Sequence, residues 1–182
     1  MIIGITGTNG AGKETIVESL KEKGFEHYSV RSYLENILLK EGKNTEREDM
    51  IQLANELREK HGPQYIVEQL YNQATNTAYS IIESLRCPGE IEYIQQVGEA
   101  HILAIDADRK KRYNRISKRK SSTDLISEEE FIRQEKLEYE NLDPFKQNLK
   151  KCIEMSDYVF DNNGTILELN NKIDYIIGML HR

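Results

Sequence analysis

The chain has 182 residues, carries a net charge of −6, and is 38% hydrophobic and 31% charged. That length suits one domain, or one domain with a small insertion; the short, periodic apolar segments argue against wholesale disorder, and no run approaches the roughly 18 apolar residues that span a bilayer. The acidic balance argues against general affinity for nucleic acid, and the apolar start, about six residues long, is too short for a signal peptide.

Met1 to Thr6 reads as a short buried strand. It runs straight into Gly7-Thr8-Asn9-Gly10-Ala11-Gly12-Lys13, after which Ile16, Val17 and Leu20 recur at helical spacing until Gly24. Strand, glycine-rich turn, lysine and helix, in that order, are the layout of a phosphate-binding loop. Glycines let the backbone curl so that its N–H groups point inward around an anion. The helix adds unpaired N-terminal donors and the positive end of its dipole, and Lys13 adds a full charge. A nucleoside triphosphate site is the expectation.

Phe25 to Val30 reads as a second strand, and Ser32 to Leu39 as a helix that stops near Gly42. Met50, Leu53, Ala54 and Leu57 fall on one face of a helix over 45–60. Gly62-Pro63 breaks that pattern, with Pro63 suited to a new helix start, and Ile66, Val67, Leu70 and Ala74 form the next apolar stripe. Tyr79 to Ile82 is a third strand, followed by Glu83-Ser84-Leu85-Arg86; Pro88 to Gln96 is a helix; His101 to Ile105 is a fourth strand ending at Asp106. Arg109 to Lys120 is strongly basic, and Arg112, Arg115 and Arg119 share one helical face. Ser127, with Glu130 three residues on, forms a capping box for a helix to about Glu140. Asp143-Pro144 interrupts, and another helix runs to about Met155. Tyr158 to Phe160 is the last strand. In the turn after it, Asn163-Gly164 supplies φ > 0 positions and Thr165 the N-cap of a final helix through Leu167, Leu169, Ile173, Ile176 and Ile177.

Five short strands alternating with helices predict an α/β fold, a five-stranded parallel sheet with helices on both faces. The nearly all-helical stretch from about 31 to 76 would sit as a lobe above the strand ends. Cys87 and Cys152 have no paired-ligand spacing and read as free thiols of a reducing, cytoplasmic compartment. His27, His61, His101 and His181 are scattered, so no metal site built only from protein ligands is expected.

On these residues the chain resembles the small P-loop nucleotide kinases. It looks like a nucleoside monophosphate kinase, with features similar to dephospho-coenzyme A kinase. The resemblance covers most of the length and implies the three-layer P-loop NTPase fold in a single kinase domain. The core would be about 1–30 and 78–182, the helical acceptor-binding insertion about 31–76, and the lid about 112–127.

The loop reads Gly12-Lys13-Glu14-Thr15, where the usual pattern puts Ser or Thr directly after the lysine to bind magnesium. An acid or glycine followed by threonine is similar to other nucleotide kinases. The resemblance then implies that Thr8, Asn9, Gly10, Ala11, Gly12, Lys13, Glu14 and Thr15 hold ATP, with Thr15 on an inner phosphate. Magnesium would be held mainly by phosphate oxygens and water, with Glu14 or Glu83 as candidate carboxylates. The alternative for Glu14 is a solvent-facing acid that favours the helix dipole.

Glu83-Ser84-Leu85-Arg86 partly matches the Asp-Gly-x-Pro-Arg of these kinases. Glutamate and serine replace aspartate and glycine, and the proline is missing. Glu83 would order metal water or acceptor, and Arg86 would clamp a phosphate in bidentate fashion. The basic run corresponds to the lid, whose Arg115 and Arg119 would close over the transferring phosphoryl. The competing readings are a solvated helix face paired with residues such as Glu135 and Glu138, or a nucleic-acid patch. Ser156 to Thr165 resembles the turn after the lid in dephospho-coenzyme A kinases, which implies that Asn163 and Gly164 lie beside the adenine. Arg31 follows the second strand, where acceptor residues stand, and Arg58 lies on the polar side of a helix in the acceptor lobe.

The implied activity is transfer of the γ-phosphoryl of ATP to a nucleoside monophosphate, with Lys13, Glu83, Arg86, Arg115 and Arg119 as catalytic groups and Arg31, Arg58 and Arg86 on the acceptor. The alternative acceptor is the 3′-hydroxyl of dephospho-coenzyme A. The rival of another class is a module that binds nucleotide as a sensor without turnover. Partners would be nucleotides, with no membrane.

Overall fold

Among the described residues of this computed structural model, 1–119 and 126–180, the alternating pattern resolves into five strands and nine helices. In chain order these are β1 (Ile2–Gly7), α1 (Lys13–Lys21), β2 (Glu26–Ser29), α2 (Val30–Lys40), α3 (Arg47–His61), α4 (Tyr65–Ala74) and β3 (Ser80–Leu85). There follow α5 (Pro88–Val97), β4 (Ala100–Asp106), α6 (Arg109–Arg119), α7 (Glu128–Tyr139), α8 (Leu149–Glu154), β5 (Tyr158–Asp161) and α9 (Ile166–Leu180).

All strand pairs are parallel, in the order β2-β3-β1-β4-β5. Parallel neighbours need crossover connections, and here the helices supply them on both faces. The period-two alternation of the strands decides which side chain feeds which layer. Ile2, Ile82 and Ile102 turn toward α2, α3, α4 and α5, whereas Ile3, Ile5, Ile81, Leu103 and Ile105 turn toward α1 and α9. Each of those isoleucines is 7% exposed or less, and such burial contributes about 1.5–3 kcal/mol per side chain. The chain leaves β1 toward β3 and β2 and returns to β4 on its other side. That reversal opens a crevice at the carboxyl ends of the strands.

The helical insertion expected over 31–76 is α2, α3 and α4, spanning Val30 to Ala74 between β2 and β3. Four local expectations change. The strand expected over Tyr79 to Ile82 runs on to Leu85, so Glu83 and Ser84 belong to it. Pro63 does not start a helix; α4 begins two residues later at Tyr65. The helix expected before Met155 is one short piece, Leu149–Glu154, because Asn141, Asp143 and Asn148 side chains bond nearby main-chain groups and hold an irregular 140–148 segment. Neither Asn163 nor Gly164 has positive φ. Thr165 does cap α9: its hydroxyl accepts from Glu168 N, while the Glu168 carboxylate accepts from Thr165 N. Among the described residues no helix is long and apolar enough to cross a membrane.

Candidate active site

The loop after β1 is shaped by its glycines. Gly12 has φ 112°, and a Cβ there would lie 2.4 Å from Asn162 Nδ2; at Gly7, φ 139°, it would lie 2.1 Å from the Ile105 carbonyl oxygen. The turn closes through Ala11 N donating to Thr8 O at 3.2 Å. The α1 N-terminus receives no side-chain cap from Gly12, so its first amides have no local side-chain acceptor, as suits an anion seat. Lys13 Nζ donates to Gly7 O (3.0 Å) and Thr8 O (3.1 Å), folding back over the loop. Burial of its ammonium, with Arg86 close by, pulls its pKa down to about 7. Thr8 Oγ1 donates to Asp106 Oδ1 at the end of β4 (2.5 Å), tying the loop to the neighbouring strand.

Helix α6 braces the loop with the face predicted from sequence. Arg112 donates to Asn9 O, Arg115 donates to Ala11 O (3.2 Å) and Asn162 O (2.7 Å), and Arg119 Nη1 lies 3.9 Å from the exposed Glu14 carboxylate. Asn162 Nδ2 also donates to Ala11 O (2.7 Å). Asn163, next in the same turn, accepts from Asp108 N and from Lys111 Nζ. The Ser156-to-Thr165 turn is thus fastened directly to the phosphate loop. The basic run also pairs with acid, since Glu135 bonds Arg109 and Arg112. Lys120 and Ser121 to Asp124, within the expected lid, lie outside the described residues.

A cavity of about 650 Å³ opens beside Lys13, between the loop, the ends of β2 and β3, and helices α2 and α3. Glu83 lines it. Burial pushes its carboxyl up, but His27, Lys13, Ser84 and Arg86 together hold it down to about 2. Ser84 Oγ donates to Glu83 Oε1 (2.5 Å) and Ser29 Oγ to Oε2 (3.3 Å). Ser84 has φ 74°, in a bulge where β3 slips one residue against β1. This is the position where the resembling kinases carry glycine, and the bulge re-aims the strand end.

Arg86 follows. Its Nη1 donates to Glu138 Oε2 (2.9 Å) and Gln147 Oε1 (3.3 Å). Glu138 also bonds Arg47 at the start of α3, so one carboxylate from α7 joins an arginine of α3 to the arginine that follows β3. Burial pushes the Glu138 carboxyl up, yet Arg86 and Arg47 keep it below its ordinary value. Arg31 is exposed and paired with Glu35. Arg58, expected on a polar helix face, is instead 1% exposed and paired with the fully buried Glu90. Helical spacing in fact puts it on the buried stripe, four and eight residues after Ala54 and Met50, and α5 brings Glu90 beneath it, which offsets the cost of burying its charge.

The structure therefore gathers Gly12, Lys13, Glu14, Glu83, Arg86, Arg119, Arg31 and Arg58 around one cavity, with Asn9 and Gly10 at its edge; Arg115, Asn163 and Gly164 stand outside its wall. Thr15 sits on the first turn of α1, its N–H on Gly12 O. Sequence reasoning missed Arg47, Gln147 and Glu90, and placed Glu138 only as a counter-charge to the basic run, whereas it pairs with Arg47 and Arg86. The Glu90 capping box was visible in principle, three residues after Cys87. Nothing local marks Glu138 within an ordinary acidic helix. Among the described residues no group of three His, Cys, Asp or Glu could hold a metal ion. Glu83, an ionised carboxylate lining the cavity, is an oxygen donor of the kind magnesium takes.

Comparison with known proteins agrees with this geometry. A UPF0200 protein of Sulfurisphaera tokodaii is 27% identical over 176 residues, covering 97% of this chain and 95% of the relative. Shikimate kinase from Acinetobacter baumannii, solved in complex with shikimate, superposes with a TM-score of 0.57 at 19% identity, over 97% of this chain and 92% of that one. Deoxyadenosine kinase from M. mycoides, solved with products dCMP and dCDP, gives 0.56 at 21% identity, over 100% and 99%. The profile of the AAA_18 family, an AAA domain, matches residues 3–143. With that match over most of its length, and a parallel sheet, phosphate loop and overall shape in common with P-loop kinases, the chain belongs to the AAA_18 family and has the P-loop kinase fold.

Proposed function

We propose that the protein is an ATP-dependent phosphotransferase that moves the γ-phosphoryl of ATP to a nucleoside monophosphate. One observation carries the reading: Lys13 of the phosphate loop and Arg86, Arg119 and Arg31 line a single cavity large enough for a small substrate beside the donor phosphates. The loop amides and Lys13 hold the β- and γ-phosphates. The insertion, residues 30–74, forms the acceptor lobe, and the segment around 112–127 acts as the lid that brings Arg119 and Arg115 over the reacting phosphoryl. Asn163 and Gly164 flank the base of ATP. Magnesium would be held mainly by phosphate oxygens and water, with Glu83 or Glu14 as the candidate carboxylates, and would supply counter-charge to the phosphates, while Thr15 would bond an inner phosphate.

In the step itself an acceptor phosphate oxygen attacks Pγ in line; the new P–O bond forms as the bond to the β-phosphate oxygen breaks, and ADP leaves. Arg86 steadies the acceptor phosphate, and the lid arginines neutralise the equatorial oxygens. A phosphate acceptor needs no strong base. The cations and hydrogen bonds around Glu83 hold it ionised, as suits a charge-ordering role beside the phosphates. Release of ADP across the nucleoside monophosphates and dephospho-coenzyme A tests the proposal. Turnover with at least one monophosphate is expected, and background hydrolysis with every acceptor overturns it.

A further inference from the structure

Helix α7 turns one stripe inward. Phe131, Glu135 and Glu138 recur at i, i+4 and i+7, so they lie in line over about 10 Å of helix axis. The Arg112 guanidinium of α6 sits 5.7 Å from the centre of the buried Phe131 ring, and its Nη2 donates to Glu135 Oε1. Its other nitrogens hold the phosphate loop and the end of β4: Nη1 donates to Asn9 O (3.3 Å) and Nε to Ala107 O (2.7 Å). The loop is close-packed on α6 here, since a Cβ on Gly10 would lie 2.6 Å from Arg112 O. One turn further along the stripe, Glu138 receives Arg86 and Arg47. Thr8, Asn9, Arg47, Glu135 and Glu138 surround a gap of about 10 Å³, room for no more than one water, so the loop, α3 and α7 stand directly against one another.

We propose that α7 ties the geometry of the phosphate loop to that of the acceptor-side arginines, with Glu135 and Arg112 as positioning residues. The inference rests on the phosphotransfer reading above and adds an order to it: donor phosphates seated in the loop set Arg86 and Arg47 in place before the acceptor arrives. A helix is stiff over two turns, so Glu135 and Glu138 do not shift independently. Both carboxylates are largely buried against guanidinium groups, and parting either pair leaves a desolvated charge uncompensated. The link therefore holds or moves as a unit. Ordering the loop around a polyphosphate fixes Asn9, and through Arg112 it fixes α7. The arginines on Glu138 then have less freedom left to lose when a phosphate reaches them. Arg115 does not serve this role, because it ties Ala11 to Asn162 in the turn after β5, at the opposite edge of the sheet from β2.

The test is amide hydrogen exchange with the non-hydrolysable ATP analogue AMP-PNP and magnesium as the only ligands, so it does not depend on the acceptor. In wild type the analogue is expected to slow exchange in the loop and also, by about fivefold or more, in residues 131–139 and 80–90. In Glu135→Gln the loop should slow as before, the two remote segments should change by less than about twofold, and exchange without ligand should stay near wild type. A merely structural brace would lower the melting temperature and leave the ligand-dependent slowing in place. Should that variant not fold, Arg112→Lys is read the same way, because it keeps a cation facing Glu135 but lacks the fork that reaches Asn9 and Ala107. Remote slowing that survives the substitution overturns the proposal. So does wild-type slowing confined to the loop, an outcome that leaves the phosphotransfer reading standing. Remote slowing lost in the variant, with no ADP release for any acceptor, supports the link while overturning phosphotransfer.

Discussion

Arg86 and Glu138, 52 residues apart in sequence, meet at 2.9 Å on the wall of the cavity, and the same carboxylate holds Arg47. It aligns two guanidinium groups from different parts of the fold where their like charges would otherwise drive them apart. Glu138→Gln removes that charge while keeping shape. The expected result is a rise of roughly 10-fold in the KM for the acceptor, with ATP affinity within about twofold of wild type. Parallel loss of ATP binding would contradict a role confined to the acceptor side.

Lys13→Ala should lower phosphoryl transfer by about 10²–10³-fold or more and leave the fold intact by circular dichroism. The pH behaviour follows from its pKa of about 7 against an ordinary 10.5. The unfolded chain binds more protons between those values, so the strain of this site is full below about pH 7 and eases as pH rises toward 10.5. A bound polyphosphate restores the charge. ATP binding at pH 8 should therefore take up a proton, read from calorimetry in buffers of different ionisation enthalpy, and the affinity should fall with rising pH. Proton-neutral binding at pH 8 would count against this assignment.

Glu83 is held at about 2 by its hydrogen bonds and cations, despite burial that opposes ionisation. A depressed carboxylate contributes stability above its unfolded value of 4.5 and loses it as pH falls toward 2. In thermal melts the difference between wild type and Glu83→Gln should be largest near neutral pH and should narrow as pH drops through that window. Turnover by Glu83→Gln should also fall, roughly 10²-fold, if the group orders the metal's water. A pH-independent difference would place the stabilisation elsewhere.

Gly12→Ala sets a Cβ 2.4 Å from Asn162 Nδ2 at a φ of 112°. Strain of about 1–3 kcal/mol is expected, seen as a lower Tm and weakened ATP binding together. The double variant with Asn162→Ala should recover part of the Tm, because the clash goes but the backbone strain stays. No recovery would mean that the Asn162 contact does not set the loop's shape.

Arg119→Ala separates an enzyme from a nucleotide sensor. Turnover should fall by roughly 10-fold or more with ATP affinity nearly unchanged, since this exposed arginine lies near Glu14 among the described residues, 3.9 Å from its carboxylate. Tight nucleotide binding with no turnover in either protein would favour the sensor.

The amino-acid order alone determined the parallel sheet, the run of helices between β2 and β3, and the glycine-rich loop after β1. Each is written in local signals: periods of 2 and 3.6, glycine spacing, a lysine at a helix start. These depend on backbone geometry within a few residues. The α6 stripe of Arg112, Arg115 and Arg119 was legible for the same reason, although its partners were not. Only the tertiary structure decided that Arg115 grips Ala11, 104 residues away, that Arg58 is buried against Glu90, and that Glu138 joins Arg47 to Arg86. No spacing rule links such residues. They meet because helices from separate crossovers converge on the strand ends, and in a buried or half-buried setting opposite charges must find one another or leave their desolvation unrepaid.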